Sequence, residues 1–369
     1  MTARSRELGI VFGAAAPGPL DAITDVAGVR VGLVTLIEGE DVRTGVTAIV
    51  PSEADVAEHQ LFAGCHTLNG NGELTGLEWV RESGRLTTPI AITNTHSLGV
   101  VRDALVAASV RARDGNDTLS WALPVVGETY DGVLNDINGF HVRPEHLDEA
   151  LAKASGGPVE EGAVGGGTGM ICHGFKGGIG TASRVTAERD GAFTVGVLVQ
   201  ANHGRRERLT VGGAPVGRVI GTDVVPDPWD AVSPDAAGSG SIIVVCATDA
   251  PLLPHQCRRL AQRASLGIAR TGGAGEHSSG DILLAFSTAR QGLPPSEGEA
   301  DDEPVTVPLT MFVDSHIDSL FHAAVEATEA AIVNALLAAE TMTGRRGVTA
   351  YGLEPDLLLE AMRRFGFPS

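Results

Sequence analysis

Apolar and polar positions divide the chain into short β-branched runs, punctuated by glycine, and a smaller number of helical periods. Gly28–Leu36 (GVRVGLVTL) and Thr44–Pro51 (TGVTAIVP) are bounded by Gly or Pro and predict strands. Gly72–Gly84 predicts a short helix that stops on Gly84. PIAITNTH predicts a strand. HSLGVVRDALVAASVRARDG then predicts a helix with Ser97 as N-cap and Val101, Leu105 and Ala108 on one face. PEHLDEALAKASGG predicts another, with Pro144 in its first turn and Gly156 past its end. GGIGTASRVT and FTVGVLVQANHG predict paired strands from the centre of a sheet. SIIVVCATDAP, starting at Ser241, and SGDILLAFST, Ser279–Thr288, predict two more. Between these lies a helix over LLPHQCRRLAQRASLGIAR, with Leu253, Leu260, Ala261 and Ala264 inward. SLFHAAVEATEAAIVNALLAAETM predicts a long amphipathic helix near the end. The strands richest in Val and Ile do not alternate, as expected of strands buried on both faces. The pattern fits a layered α/β sandwich; composition alone leaves a doubly wound sheet open.

Two segments have no period. Val225–Gly240 is rich in Pro, Asp, Ala, Gly and Ser and reads as the clearest linker. PPSEGEADDEP carries five acidic residues and no basic one, and reads as a solvated excursion.

The chain has 369 residues, long enough for one large domain or two ordinary ones. Aromatics are only 4% while glycines number 48, so the core must be closely packed aliphatic side chains with many tight turns. The net charge of −19 argues against nucleic acid and anionic membrane surfaces as partners, because both need clustered Lys and Arg. Four cysteines without CxxC spacing argue against a zinc site or a disulfide framework. No metal cluster stands out among the eleven histidines; His66, His96, His173 and His277 are isolated in spacing. The N-terminal stretch lacks a convincing leader core, and no apolar run approaches the roughly 20 residues of a membrane span, so a cytoplasmic protein is expected.

The candidate chemistry centres on the junction GSG–SIIVV. A cut between Gly240 and Ser241 would give Ser241 both a hydroxyl nucleophile and a free α-amine. That amine has a pKa near ~7.7–8.0 and can serve as a base or bind a carboxylate. Gly240 has no Cβ to resist a distorted peptide geometry. The same stretch also reads as a plain flexible linker, and Ser239 competes with Ser241. Ser241 is preferred because it abuts the strand.

Further stretches in order are DAITDVAGVRVG (Asp21–Gly32), RTGVTAI, LNGNGELTGLEW (Leu68–Trp79), NTHSLGVVRDA, GETYDGVLND (Gly127–Asp136), GGGTGM, GFKGGIGTASR, VQANHG, GSIIVVCATDAPLLPHQ and SGDILLAFST. With these the chain resembles, nearly end to end, the DmpA-type family of L-aminopeptidase/D-esterase-amidases and β-aminopeptidases. The resemblance implies a four-layer αββα sandwich like that of N-terminal nucleophile hydrolases, with different connectivity. It implies one domain that cleaves itself before Ser241 into chains 1–240 and 241–369, and a homo-oligomer, a tetramer of processed protomers. It implies Ser241 as nucleophile, Ser279 and Asp281 as its hydroxyl–carboxylate support, and Asn202 as an oxyanion donor. Glu128 would hold the substrate's free amino group, and Tyr130 would sit beside the nucleophile. His203 follows Asn202 where an aromatic such as Tyr is expected, which places His203 in the pocket wall.

The implied activity is removal of N-terminal residues from short peptides, amides or esters, with D- or β-amino acids among the candidates, and no metal or cofactor. An ω-amino amide or oligoamide hydrolase, or an acyltransferase, on the same fold is an alternative. So is a non-catalytic binding protein using GAVGGGTGM (Gly162–Met170), although that run lacks a following Lys-Ser/Thr.

Overall fold

A computed structural model describes residues 3–112, 121–232, 240–289, 292–293 and 304–367. Along the chain run β1 (Arg30–Glu38), β2 (Val42–Val50), β3 (Leu61–Gly70), α1 (Leu77–Ser83), β4 (Arg85–Leu86), β5 (Ile90–Asn94), α2 (Leu98–Ala112), β6 (Val125–Thr129) and α3 (Pro144–Lys153). Then come β7 (Ile171–Cys172), β8 (Phe175–Lys176), β9 (Gly178–Val185), β10 (Thr194–Asn202), β11 (Ser241–Thr248), α4 (Pro254–Arg270), β12 (Gly280–Ser287) and α5 (Asp318–Ala338).

The strands form two main sheets, a four-stranded one ordered β1-β2-β5-β6 and a six-stranded one ordered β4-β3-β12-β11-β10-β9. Between them lies an aliphatic layer that includes Ile49, Ile92 and Val125 from the small sheet and Leu198, Ile243, Val245 and Leu284 from the large one. Helices α2 and α3 cover the outer face of the small sheet, and α4 and α5 that of the large sheet. Strands covered on both faces need apolar side chains at every position, and β11 and β12 are buried throughout. The architecture is an αββα sandwich.

Several elements differ from the sequence expectation. Helix α5 is not amphipathic: it is buried on nearly every side, and only its ends approach solvent. It is also long and apolar enough to cross a membrane by length and composition, yet 94% of its most apolar window is buried within the fold. Its polar side chains are matched internally. Asn334 accepts from Ser5 N at 3.0 Å and donates to Thr181 O at 3.0 Å. Ser97 does not cap α2. Asn94 Oδ1 accepts from Ser97 N at 2.9 Å and opens a single 3₁₀ turn that runs into the helix. The first part of the expected linker is ordered. Asp227 caps a 3₁₀ turn over Pro228–Ala231, and Trp229 is buried. Residues 233–239 of that segment, with Ser239, and the core of the acidic stretch lie outside the described residues.

Close packing of α5 on β9 depends on Gly180. A Cβ there would stand 2.0 Å from Ala331 O. Gly180→Val should therefore lower the melting temperature sharply or prevent folding, since overpacking costs about 1–3 kcal/mol or more. Scanning calorimetry reads the effect, and an unchanged transition would refute this account of the helix seat.

Candidate active site

One end of the large sheet gathers most of the sequence candidates. In the register of β11, Ser241 lies opposite Asn202 of antiparallel β10 and opposite Gly280 of parallel β12. The head of β11 is thus flanked by the tail of one strand and the head of the other, and Ser279 and Asp281 bracket Gly280. Gly240 carbonyl accepts from Gly280 N at 3.3 Å. A Cβ on Gly240 would fall 1.8 Å from Asn202 O, so glycine is required here by the close approach of β10. The φ of Gly240 is not in the left-handed region, so close approach and not a positive φ accounts for the glycine.

Ser279 Oγ donates to Asp281 Oδ1 at 2.5 Å, and both side chains are buried. Ser279 itself is held by its backbone. Its N–H donates to Glu276 O, while its carbonyl accepts from Asn71 N and from the side-chain amide of Asn69. A register shift between Asp281 and Ile282, where β12 meets β3, marks the same spot. Burial, and then the negative charge of Glu276, push Asp281 up to about 6 against the opposing hydrogen bond from Ser279.

Asn202 is fixed at both ends of its amide. Oδ1 accepts from Ile171 N at 2.7 Å, and Nδ2 donates to Tyr130 O at 3.0 Å. A primary amide has two N–H donors, and these contacts account for one of them.

Glu128 and Tyr130 come from the opposite sheet, at and just past the end of β6. Glu128 is buried. It accepts from Glu73 N at 2.9 Å and from the Thr95 hydroxyl. Burial raises its pKa above the ordinary carboxylate range, and those two donors oppose the rise. Tyr130 is exposed at 44% and stands at the mouth. A cavity of about 560 Å3 joins the two sheets, with Glu128, Tyr130, Gly240 and Ser241 in its wall together with Trp229, Thr95 and Asn71. The last three carried no assigned role in the sequence. Asn71 and its neighbours lie in the LNGNGELTGLEW stretch, whose unusual run of small and polar residues was the available signal.

His203 is not in this wall. It is buried behind Asn202, 3.8 Å from Cys172 Sγ through Nδ1, and its ring meets that of His173 edge-on with centroids 5.1 Å apart. Burial holds His203 well below its ordinary pKa and His173 down to about 4. His173, isolated in sequence spacing, is therefore part of a Cys172–His173–His203 cluster in the fold. The glycine run Gly165–Gly167 forms a buried 3₁₀ turn packed against β2 and β9. A Cβ on Gly166 would meet Ile92 O at 2.6 Å, which explains the run by close backbone packing.

Two sheets face to face between helix layers, with a serine heading a central strand, are the arrangement of hydrolases of the N-terminal nucleophile type. The chain belongs to peptidase family S58, whose model matches residues 21–350. It is 48% identical over 377 residues to the β-peptidyl aminopeptidase BapA of Sphingosinicella microcystinivorans, covering 98% of this chain and 92% of that protein. Among solved structures it resembles a Burkholderia sp. β-aminopeptidase (TM-score 0.93, 55% identity, 100% of both chains). It also resembles the L-aminopeptidase D-Ala-esterase/amidase of Ochrobactrum anthropi (TM-score 0.89, 44% identity, 98% of this chain and 99% of that one). That protein is described as a prototype of the serine aminopeptidases and a variant of the Ntn hydrolase fold.

The raised Asp281 carries a stability signature. Folded Asp281 holds its proton more tightly than an unfolded aspartate, whose pKa is about 3.9. Stability tied to that proton is present below about pH 4 and is lost as pH rises through about 6. In a Ser241→Ala background, Asp281→Asn should melt higher than its parent at pH 8, with the gap closing at about pH 4. A lower melting temperature at pH 8 would contradict the burial argument.

Proposed function

We propose that the protein is a self-processing serine aminopeptidase that takes its nucleophile from Ser241, and that it prefers short peptides and amides with an N-terminal β-amino acid. The observation that carries this reading is the register that sets Ser241 against both Asn202 and Gly280 at the edge of a cavity that also holds Glu128.

In processing, Ser241 Oγ attacks the Gly240 carbonyl. The C–N bond breaks and an ester forms, and water then hydrolyses the ester, leaving a Gly240 carboxylate and a free Ser241 amine. The single domain thereby becomes chains 1–240 and 241–369. In turnover, the hydroxyl proton passes to that amine, whose pKa near ~7.7–8.0 suits a base at neutral pH. Ser279, held by Asp281, polarises the nucleophile, and the second N–H of Asn202 receives the developing oxyanion. The leaving amine departs with the proton, and water releases the acyl group. Tyr130 closes the pocket beside the nucleophile.

Glu128 sets the requirement for a free amino terminus. Its carboxylate pairs with an ammonium group by a charge-assisted bond that an acylated substrate cannot make. The β-amino acid preference rests on the similarity to two enzymes named for that substrate class. Esters are proposed as further substrates on the similarity to the esterase/amidase. A cytoplasmic location is proposed on four cysteines that are all free and buried, as suits a reducing compartment. A homo-oligomer is proposed on the exposed apolar positions Val305, Leu309, Met311 and Val313, which lie together in one segment; light scattering gives its mass.

Denaturing intact-mass measurement should find wild type split between Gly240 and Ser241 and Ser241→Ala as one chain. An uncut wild type that still hydrolyses amino-acid p-nitroanilides would remove the terminal amine from the mechanism. Glu128→Gln should raise KM for free-amine β-amino acid p-nitroanilides by about 10- to 100-fold, the weight of one charged hydrogen bond. N-acetylated analogues should be poor substrates of both forms. Equal KM values in the two enzymes would exclude Glu128 as the anchor.

A further inference from the structure

The cluster behind Asn202 takes no part in the catalytic reading and does not depend on it. Cys172 and His173 are fully buried and His203 is 3% exposed, and the possible donor atoms of all three lie within 4.8 Å of one another. Two elements bring them together. Cys172 ends β7, His173 follows in the turn to β8, and His203 follows the last residue of β10. His173 N donates to His203 O at 2.7 Å, which ties the hairpin to the strand end.

The histidine rings are left with bonding capacity that nothing among the described residues uses. His173 Nδ1 lies 3.1 Å from Arg205 O, a carbonyl that can only accept, so Nδ1 carries the proton and Nε2 a bare lone pair. Among the described residues, His173 Nε2 and His203 Nε2 are both buried without a hydrogen-bond partner. Buried polar atoms of this kind are rare in native proteins. The backbone adds a second sign. His173 has φ of +50° and Gly174 φ of +70°, the pair of left-handed residues of a tight hairpin turn in which Asn-Gly is the favoured sequence. A histidine holds that position here, and its imidazole is buried.

We propose that Cys172, His173 and His203 form a buried three-ligand site for a soft monovalent cation, Cu+. Thiolate and imidazole are the ligands that soft first-row ions select. Three converging donors suit Cu+, whereas structural Zn2+ takes four. Lys176 and Arg206 lie beside the cluster, the first donating to Met170 O and Gly177 O and the second to His173 O. Asp227 and Asp230 face Arg206, so the assignment rests on the number and softness of the donors. Each ion bound displaces one proton, from the Cys172 thiol to solvent. His203 adjoins Asn202, and Cys172 adjoins Ile171, whose N–H holds the Asn202 amide. The ion would therefore brace the support of that side chain from behind.

The test uses the full-length protein, loaded anaerobically with copper in excess ascorbate and titrated against bicinchoninate. One Cu+ per chain is expected, with X-ray absorption showing one sulfur and two nitrogen scatterers around the metal. Cys172→Ser and His203→Phe, each checked for an unchanged folding transition, should each weaken binding by at least about tenfold. The proposal falls if wild type takes up no copper, or if the scatterers are sulfur alone. It falls equally if Cys172→Ser binds as tightly as wild type, which would place the ion on another cysteine. The absorption spectrum decides the matter even if a variant fails to fold.

Discussion

Strand β11 is hydrogen-bonded along both edges and buried on both faces, and the positions of Ser241, Asn202, Ser279 and Asp281 follow from that confinement. Its ladder with β10 runs from Ser241 opposite Asn202 to Thr248 opposite Val195, and its ladder with β12 from Ser241 opposite Gly280 to Thr248 opposite Ser287. A slip of one residue would turn every side chain of the strand to the other face, and the aliphatic layers on both sides forbid it. The head of the strand is therefore held as firmly as its middle. A reactive hydroxyl placed there inherits the precision of the core without a dedicated scaffold.

The chemistry around that hydroxyl is assembled from strand ends of both sheets. Asn202, Ser279 and Asp281 come from the large sheet, and Glu128 and Tyr130 from the small one. A cavity between sheets is the natural place for a substrate whose amine and scissile carbonyl must be gripped separately. Burial raises both Asp281 and Glu128 above their ordinary carboxylate range. The site thus keeps acids whose ionisation the fold itself resists, which is common where function and stability compete.

Much of this was legible in the sequence, for physical reasons that can be named. β10, β11 and β12 announce themselves as unbroken Val/Ile/Leu runs, and α4 by its period. The site residues were found through the motifs around them, not through any property of a lone Ser or Asn. What escaped reading was long-range. β3 and β6 are short of β-branched alternation, and polar residues at their ends serve the cavity. α5 differs from its amphipathic expectation because Glu326, Glu329 and Asn334 look like a solvated face in the sequence, whereas each meets a partner or a charge inside the fold. Asp227 and Trp229 ordered a segment whose composition suggested a linker. The sequence places His203 in the pocket wall because it follows Asn202, but alternation along a strand end turns consecutive side chains to opposite faces.

The strand order has a consequence for a chain divided before Ser241. β11 and β12 would then belong to one piece and their outer neighbours, β10 and β3, to the other. Each piece would hold the other's inner edge, so neither could leave without dissolving the whole sheet. The two would remain one thermodynamic unit with two covalent parts. Once melted apart, however, they could rejoin only by collision. Recovery would slow with dilution, and a folding reaction that began as an intramolecular event would have become a bimolecular one.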